Sequence, residues 1–146
     1  MNIKPYSLLL LISFILISSA AKPPPQEYQL TLKVTGIKEI KGELVIGLYN
    51  NQKAWLKKGK EFSKKTIKIT AKKESIVFDN IPAGNYAISL FHDENMDGKV
   101  NRSLIRIPKE GYGFSNNTRV TIKAPGFKKS SFQISGDRDE IIKLKY

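Results

Sequence analysis

The sequence contains no cysteine, one histidine, one tryptophan and two methionines in its 146 residues. The absence of cysteine excludes a disulfide scaffold, a thiolate zinc site, an iron–sulfur cluster, a cysteine nucleophile and a lipid-modified N-terminal cysteine. A single histidine excludes a metal centre built from several histidines. Acidic side chains are also scarce, because 13 Asp and Glu stand against 25 Lys and Arg. The chain is therefore basic and lacks the common cysteine and histidine chemistry.

The composition that remains is typical of a folded domain. Hydrophobic residues make up 40% of the chain and aromatic residues 10%, which is too rich for a disordered protein. The length allows one domain and not two. We therefore expect one packed core.

Residues 1–21 have the pattern of a secretory signal peptide. Lys4 supplies the positive charge, the apolar run 8–17 is ten residues long, and small residues follow at 18–21. A run of ten is too short to span a bilayer. We expect cleavage after Ala21 in preference to Ala20, with an uncleaved N-terminal anchor as the alternative. The signal predicts an exported protein, periplasmic or extracellular, with no transmembrane span once the signal is removed.

The mature chain is predicted to have a Pro-rich, extended lead-in at 22–27 and one domain at 28–146. It would carry 24 basic and 13 acidic residues. Lysines are densest between 53 and 73, which favours a solvated face or weak attraction to anionic glycans or lipid head groups. Nucleic acid is not a predicted partner, because the cluster has no Arg and only Trp55 and Phe62 for stacking.

The dominant hydrophobic period is two, which predicts an all-β fold. We expect a single antiparallel β-sandwich, prealbumin-like or Ig-like, with about seven or eight strands and one short helix at 52–58. The predicted strands contain or span 30–34, 44–49, 66–70, 75–78, 85–92, 119–122, 131–135 and 142–146. The predicted core comprises Leu32, Val34, Leu44, Ile46, Leu48, Phe78, Tyr86, Ile88, Leu90 and Leu144.

A turn at Ile81-Pro82-Ala83-Gly84 precedes the strand 85–92, which is apolar on both faces and is therefore predicted to be central. His92 stands at the end of this strand. We interpret it first as a side chain hydrogen-bonded to the adjoining loop. A catalytic role would need a nucleophile and an orienting carboxylate, and the sequence offers no convincing set. The chain is therefore not predicted to be an enzyme.

The loop 93–101 places oxygen-bearing side chains at alternate positions and a glycine after the third, like the first half of a calcium loop. The predicted ligands of a weak Ca²⁺ site are Asp93, Asn95, Asp97, the Lys99 carbonyl and Asn101, with Glu110 as a remote carboxylate. The twelfth position is Leu104 and not Glu, so a helix–loop–helix calcium hand is not expected. The alternative is a hairpin in which the same side chains bond their own backbone.

The segment 108–117 contains two aromatic residues between glycines and amides. Tyr112 and Phe114, with Asn116, Asn117 and His92 nearby, could form a binding groove with the loop 93–101 that recognises sugar or peptide. The alternative is a packed loop in which Tyr112 and Phe114 plug one end of the sandwich.

Several motifs together resemble the bacterial domain-of-unknown-function family 2141. They are the runs 42–49, 78–88, 92–99, 107–117 and 124–127, which cover nearly the whole mature domain. The chain departs from the family pattern at Asn101, where an acid is common, and at Arg106, where a glycine is common. The resemblance implies a small exported β-sandwich of uncharacterised activity with no established catalytic residues. The Phe78–Tyr86 turn is also similar to that of prealbumin-like and adhesin repeat domains.

The sequence thus predicts a non-enzymatic binding or structural module. If the loop 93–101 binds calcium, the ion is expected to stabilise this module. Its expected partner is an envelope protein or a glycan, and the expected state is a monomer. The alternatives are a secreted accessory or inhibitor-like protein acting on an envelope partner, or a binder of anionic glycan or lipid surfaces.

Overall fold

The computed structural model describes residues 25–101, 109–120 and 123–146. The predicted signal peptide, residues 22–24 of the lead-in and residues 121–122 of a predicted strand lie outside the described residues. The strands are β1 (Glu27–Thr35), β2 (Glu43–Tyr49), β3 (Ser63–Lys68), β4 (Glu74–Pro82), β5 (Gly84–Asp93), β6 (Tyr112–Phe114), β7 (Ser131–Ile134) and β8 (Arg138–Lys143). A 3₁₀ turn (Ser115–Asn117) follows β6, and the helix α1 (Phe127–Ser130) precedes β7.

The strands form two sheets that pack as a β-sandwich, as the sequence predicts. The three-stranded sheet has the order β4-β1-β8, in which β1 is antiparallel to β4 and parallel to β8. The five-stranded sheet runs β3-β2-β5, and β5 then pairs β7 along its first half and β6 along its second half. The prediction that this strand is central is confirmed.

Side chains alternate between the inside and the outside of the sandwich along the strands. All ten predicted core residues are buried, and one hydrophobic cluster joins the inner faces of the two sheets. Burial of each large apolar side chain favours folding by roughly 1.5–3 kcal/mol. Because alternate residues of β2 and β5 face the core, the residues between them face away from it and form a second surface on the outside of the sheet.

The turn at Pro82-Ala83-Gly84 carries the chain from one sheet to the other. The Tyr86 hydroxyl donates a hydrogen bond to the Pro82 carbonyl at 2.9 Å. This bond fixes the corner in the manner of the tyrosine corner of other sandwiches. Burial raises the pKa of the Tyr86 hydroxyl, so this donor stays protonated at neutral pH.

The prediction of a helix at 52–58 is wrong. Residues 52–56 form a turn in which the Asn51 side chain accepts from the Ala54 amide at 2.9 Å, and Leu56 has a φ of 58°. The Trp55 indole N–H donates to the Pro125 carbonyl at 2.8 Å. This long-range packing overrides the weak helical pattern, and the short helix forms instead at α1.

The ends of several strands also differ from the prediction. β3 begins and ends earlier than 66–70, and β8 begins at Arg138 and ends before the predicted 142–146 strand does. Arg119 and Val120 are not in a strand. β6 was not predicted.

β3 lies at one end of the five-stranded sheet among the described strands. Lys65 reaches from it toward the other sheet, where its ammonium donates to the Val77 carbonyl and lies 5.1 Å from the centre of the Phe78 ring.

In the part of the chain that the structure describes, no helix is long and apolar enough to cross a membrane.

Candidate functional site

The outward face of the five-stranded sheet carries an apolar surface on the neighbouring strands β2, β5 and β6. Val45 and Tyr49 of β2, Phe91 of β5, and Tyr112 and Phe114 of β6 all point away from the core because they alternate with core positions. The segments 56–61 and 98–100 contribute further residues around this surface, as do Val120, Lys123 and Ala124. The result is a concave site and not a flat sheet face.

This site, here called the outer cavity, has a volume of about 530 Å³. Pockets that bind small molecules are usually about 300–1,000 Å³ and mainly apolar, with a few polar groups. The floor of the outer cavity is formed by the strand side chains and by Ser89, which supplies a hydroxyl.

An aromatic cluster supports one wall of the outer cavity. The Trp55 ring lies 5.1 Å from Tyr49 in an edge-to-face arrangement, 6.1 Å from Phe114 and 5.9 Å from Phe127, measured between ring centroids. Together with the Trp55–Pro125 hydrogen bond, these contacts hold Tyr49 and Phe114 in place. The wall is therefore held in place by contacts within the protein itself.

The charges around the outer cavity are mainly positive. Lys58, Lys64, Lys99 and Lys123 line it, and Glu61 is the acid that faces them. The Tyr49 hydroxyl lies 3.5 Å from Glu61 Oε1. Burial, and next the negative charge of Glu61, raise the pKa of Tyr49 to about 12. Tyr49 is therefore a hydrogen-bond donor throughout the physiological pH range.

The acidic loop 93–101 lies beside the outer cavity and supplies Lys99 to it. Asp93 is 1% exposed, and its two carboxylate oxygens accept from the Asp97 amide at 3.1 Å and the Gly98 amide at 2.7 Å. Asp97 accepts from the Lys99 amide at 2.8 Å and from the Asn95 side chain at 3.1 Å. These bonds lower the pKa of Asp97, the Lys99 amide having the larger effect.

Glu110 holds the two ends of the acidic loop together. It is 5% exposed and accepts from the Glu94 amide at 3.1 Å and from the Asn101 amide at 2.9 Å. The Asn101 side chain adds a longer bond of 3.4 Å. Glu94 in turn forms an ion pair with Lys41 at 2.8 Å, which raises the pKa of Lys41.

The predicted metal ligands of the acidic loop are all oxygen atoms, which are the ligands that calcium prefers. In the described residues, however, no three acidic, histidine or cysteine side chains are gathered where they could hold a metal. The carboxylates bond the loop's own amides, as in the hairpin alternative. Each oxygen of Asp93 accepts one such bond and has a second lone pair, whereas Oε1 of Glu110 accepts two bonds. Calcium binding through Asp93, Asn95, Asp97, Lys99, Asn101 and Glu110 remains a prediction.

His92 faces the core and is 0% exposed. Its Nε2 lies 2.8 Å from the Lys41 carbonyl, and its Nδ1 lies 2.8 Å from the Tyr146 hydroxyl. Because a carbonyl only accepts, Nε2 carries the proton and Nδ1 accepts from Tyr146. His92 joins a loop and the C-terminal residue, so it is not part of an accessible groove.

The other groove candidates separate into two groups. Tyr112 and Phe114 line the outer cavity, where Gly98, Lys99 and Val100 of the acidic loop meet them. Asn116 donates to the Lys129 and Ser131 carbonyls, and Asn117 donates to the Ile141 carbonyl and accepts from the Lys143 amide. The two asparagines therefore fasten the 3₁₀ turn to neighbouring backbone and do not line the cavity.

Several cavity residues were missed by the sequence analysis, namely Val45, Tyr49, Leu56, Lys58, Glu61, Lys64, Phe91, Val120 and Lys123. One signal pointed to them. β2 and β5 carry large apolar residues on both faces, and an apolar outward face on a strand implies a second packed or binding surface.

Comparison with known protein families gave a match that covers most of the chain. The family described as uncharacterised proteins conserved in bacteria matches residues 32–142. Neither the curated proteins nor the solved structures gave a significant match.

Proposed function

Because the chain belongs to domain-of-unknown-function family 2141, which carries no assigned activity, we propose its function from its own geometry. The protein is an exported, non-enzymatic binding module whose ligand site is the outer cavity. The observation that carries this proposal is a cavity of about 530 Å³, lined in part by aromatic side chains, on the outward face of the five-stranded sheet. Such surfaces on a single domain usually serve a ligand or partner.

Two further observations support a binding role without catalysis. His92 is fully buried and both of its ring nitrogens are engaged. Asp93 and Glu110 are buried acceptors of backbone amides, so their oxygens serve to hold the acidic loop together. Export, to the periplasm or beyond, rests on the signal-like pattern of residues 1–21.

The test fills the outer cavity with one new side chain. The Ser89→Trp variant places an indole on the cavity floor, and Ser75→Trp makes the same exchange at an exposed position of β4, in the other sheet. We expect the wild type and Ser75→Trp to bind the neutral dye Nile red with one-to-one saturation. Ser89→Trp should lose about tenfold in affinity or more, because it occupies the apolar volume.

Circular dichroism establishes that both variants are folded before titration. Equal dye affinity in Ser89→Trp and Ser75→Trp would place the dye elsewhere and overturn the proposal. Non-saturating binding by the wild type would do the same, since it would indicate a general sticky surface.

The acidic loop supports a second candidate property, which is stabilisation by calcium. Asp93 accepts hydrogen bonds from the amides of Asp97 and Gly98. These bonds hold the oxygen atoms that would bind calcium near one another. Few carboxylates and a strongly basic protein predict a Kd on the order of 10⁻⁴ to 10⁻³ M, the range of extracellular calcium modules.

Calcium at about 10 mM should raise the melting temperature by several degrees relative to EDTA, because a Kd of roughly 10⁻⁴ M gives about 2.7 kcal/mol of stabilisation. The Asp97→Ala variant should fold without metal and lose this rise. Asp139→Ala, which removes an exposed acid paired with Lys33, should keep it. An unchanged melting temperature in wild type would favour the hydrogen-bonded hairpin.

A further inference from the structure

We infer that the ligand of the outer cavity is a small amphiphilic anion, with an apolar body on the aromatic floor and one negative head group at the lysine rim. The inference rests on the proposed function and adds the chemical class of the ligand. It follows from the distribution of charge and apolar surface around one site.

The apolar half of this assignment comes from the cavity floor. Val45, Phe91, Tyr112 and Phe114 present side chains that alternate with core positions on three adjacent strands. Leu56, which is 39% exposed, adds an apolar group at the edge. An apolar ligand body gains most of its binding free energy by covering such a surface.

The anionic half comes from the lysine rim, defined as Lys58, Lys64, Lys99 and Lys123. All 13 acidic residues of the sequence fall within the described ranges. In those ranges the salt bridges involve Lys33, Lys41, His92 and Arg138, and none involves a rim lysine. In the described residues, therefore, no rim lysine forms a salt bridge with a carboxylate of the protein.

Glu61 is the one acid among the described residues that line the outer cavity, and its position fits this assignment. Its carboxylate lies beside the Tyr49 hydroxyl, so four lysines face one acid and the rim keeps a net positive charge. The Tyr49 hydroxyl has one hydrogen, which points to Glu61. A head group at the rim would thus meet the ammonium groups of the lysines.

A single cavity of this size selects a small molecule over a long polyanion. Within the described ranges, the lining contains no Arg, whose planar fork suits phosphates on a nucleic acid. An acyl carboxylate and an aryl sulfonate share the chemistry proposed here, so both are included in the test.

The test compares amphiphiles that differ in the head group alone, each below its micelle concentration. Wild-type protein is titrated with dodecanoate, dodecyl maltoside and dodecyltrimethylammonium, with displacement of Nile red as the readout. Anilinonaphthalene sulfonate provides the aryl arm. We expect dodecanoate to bind about tenfold more tightly than the neutral and cationic amphiphiles, with this margin shrinking at high salt.

Lysine variants test whether the tighter binding of dodecanoate depends on the lysine rim. Lys64→Met with Lys99→Met should remove most of the preference for dodecanoate over dodecyl maltoside. Lys68→Met with Lys73→Met removes the same charge from positions outside the cavity lining and should change dodecanoate affinity less than about twofold.

The outcomes separate this inference from the proposed function. If dodecanoate and dodecyl maltoside bind equally while Ser89→Trp still blocks Nile red, the binding module stands and the anionic ligand is wrong. If the control pair of lysines reduces affinity as much as the rim pair, the preference is a general effect of the basic surface and the inference fails. If Nile red does not bind, both proposals fail.

Discussion

The Gly42→Ala substitution should destabilise the protein by about 3 kcal/mol or more, which would lower Tm by roughly 10 °C. Gly42 has a φ of 65°, where an alanine costs about 1–2 kcal/mol. A Cβ at this position would also clash with the Asp93 carbonyl oxygen and lie 2.8 Å from the Glu94 Cα. Both contacts are with backbone, so relief requires the start of β2 and the end of β5 to move apart.

Gly59→Ala is the matched control for this prediction. Gly59 also has a positive φ, 77°, but its Cβ would have no atom within 4 Å among the described neighbours. Its substitution should cost only the conformational strain, about 1–2 kcal/mol. Urea denaturation followed by far-UV circular dichroism measures both variants. Equal losses would show that the close approach of Gly42 to Asp93 is relieved without cost.

The His92→Ala substitution should cost about 3–5 kcal/mol of the free energy of unfolding. It removes a fully buried ring, leaves the Lys41 carbonyl without its described side-chain partner, and leaves the Tyr146 hydroxyl bonded to the Lys38 amide alone. It also opens a space under the loop that precedes β2. Thermal and urea denaturation measure the loss.

Tyr146→Phe separates the hydrogen bonds from the packing. It keeps the ring, which lies edge-to-face against His92 at 6.1 Å, and removes only the hydroxyl that bonds His92 and the Lys38 amide. We expect a loss of about 1–2 kcal/mol. A loss in His92→Ala no larger than that in Tyr146→Phe would contradict the buried-histidine account, because the packing contribution would then be negligible.

The core was predictable because it depends on local alternation. Leu32 and Val34 of β1, and Leu44, Ile46 and Leu48 of β2, follow period two in the sequence, and every predicted core residue is buried. An alternating apolar set needs cover on one side of a sheet, so the pattern specifies both the strand and its inward face.

The pairing of the strands was harder to predict from the sequence than the core. β8 lies parallel to β1, and this contact joins segments that lie far apart in the chain, so no local pattern specifies it. β6 has three residues, Tyr112–Phe114, which is too short to show a period. Its place is set by pairing with β5.

The candidate site was predicted in part. The loop 93–101 and the pair Tyr112 and Phe114 were singled out from the sequence, and the structure brings both to one cavity. Two lysines of the rim belong to the lysine-rich run 53–73, but their approach to Phe91 and Tyr112 depends on how distant segments fold over the sheet. His92 was expected to bond the adjoining loop, but its ring bonds the Lys41 carbonyl and the Tyr146 hydroxyl, both distant in the sequence, and it is completely buried.

The lysines of β3 also affect whether two molecules of this protein can pair through this strand. An end strand offers unpaired backbone groups to which a second molecule could add a strand. Two copies meeting through β3 would bring Lys64 and Lys68 of one close to the same residues of the other, and this repulsion opposes the pairing. Lys65, bonded to the Val77 carbonyl, also ties the strand back to its own molecule. The charge of β3 thus discourages growth of the sheet into fibrils while leaving the neighbouring cavity open.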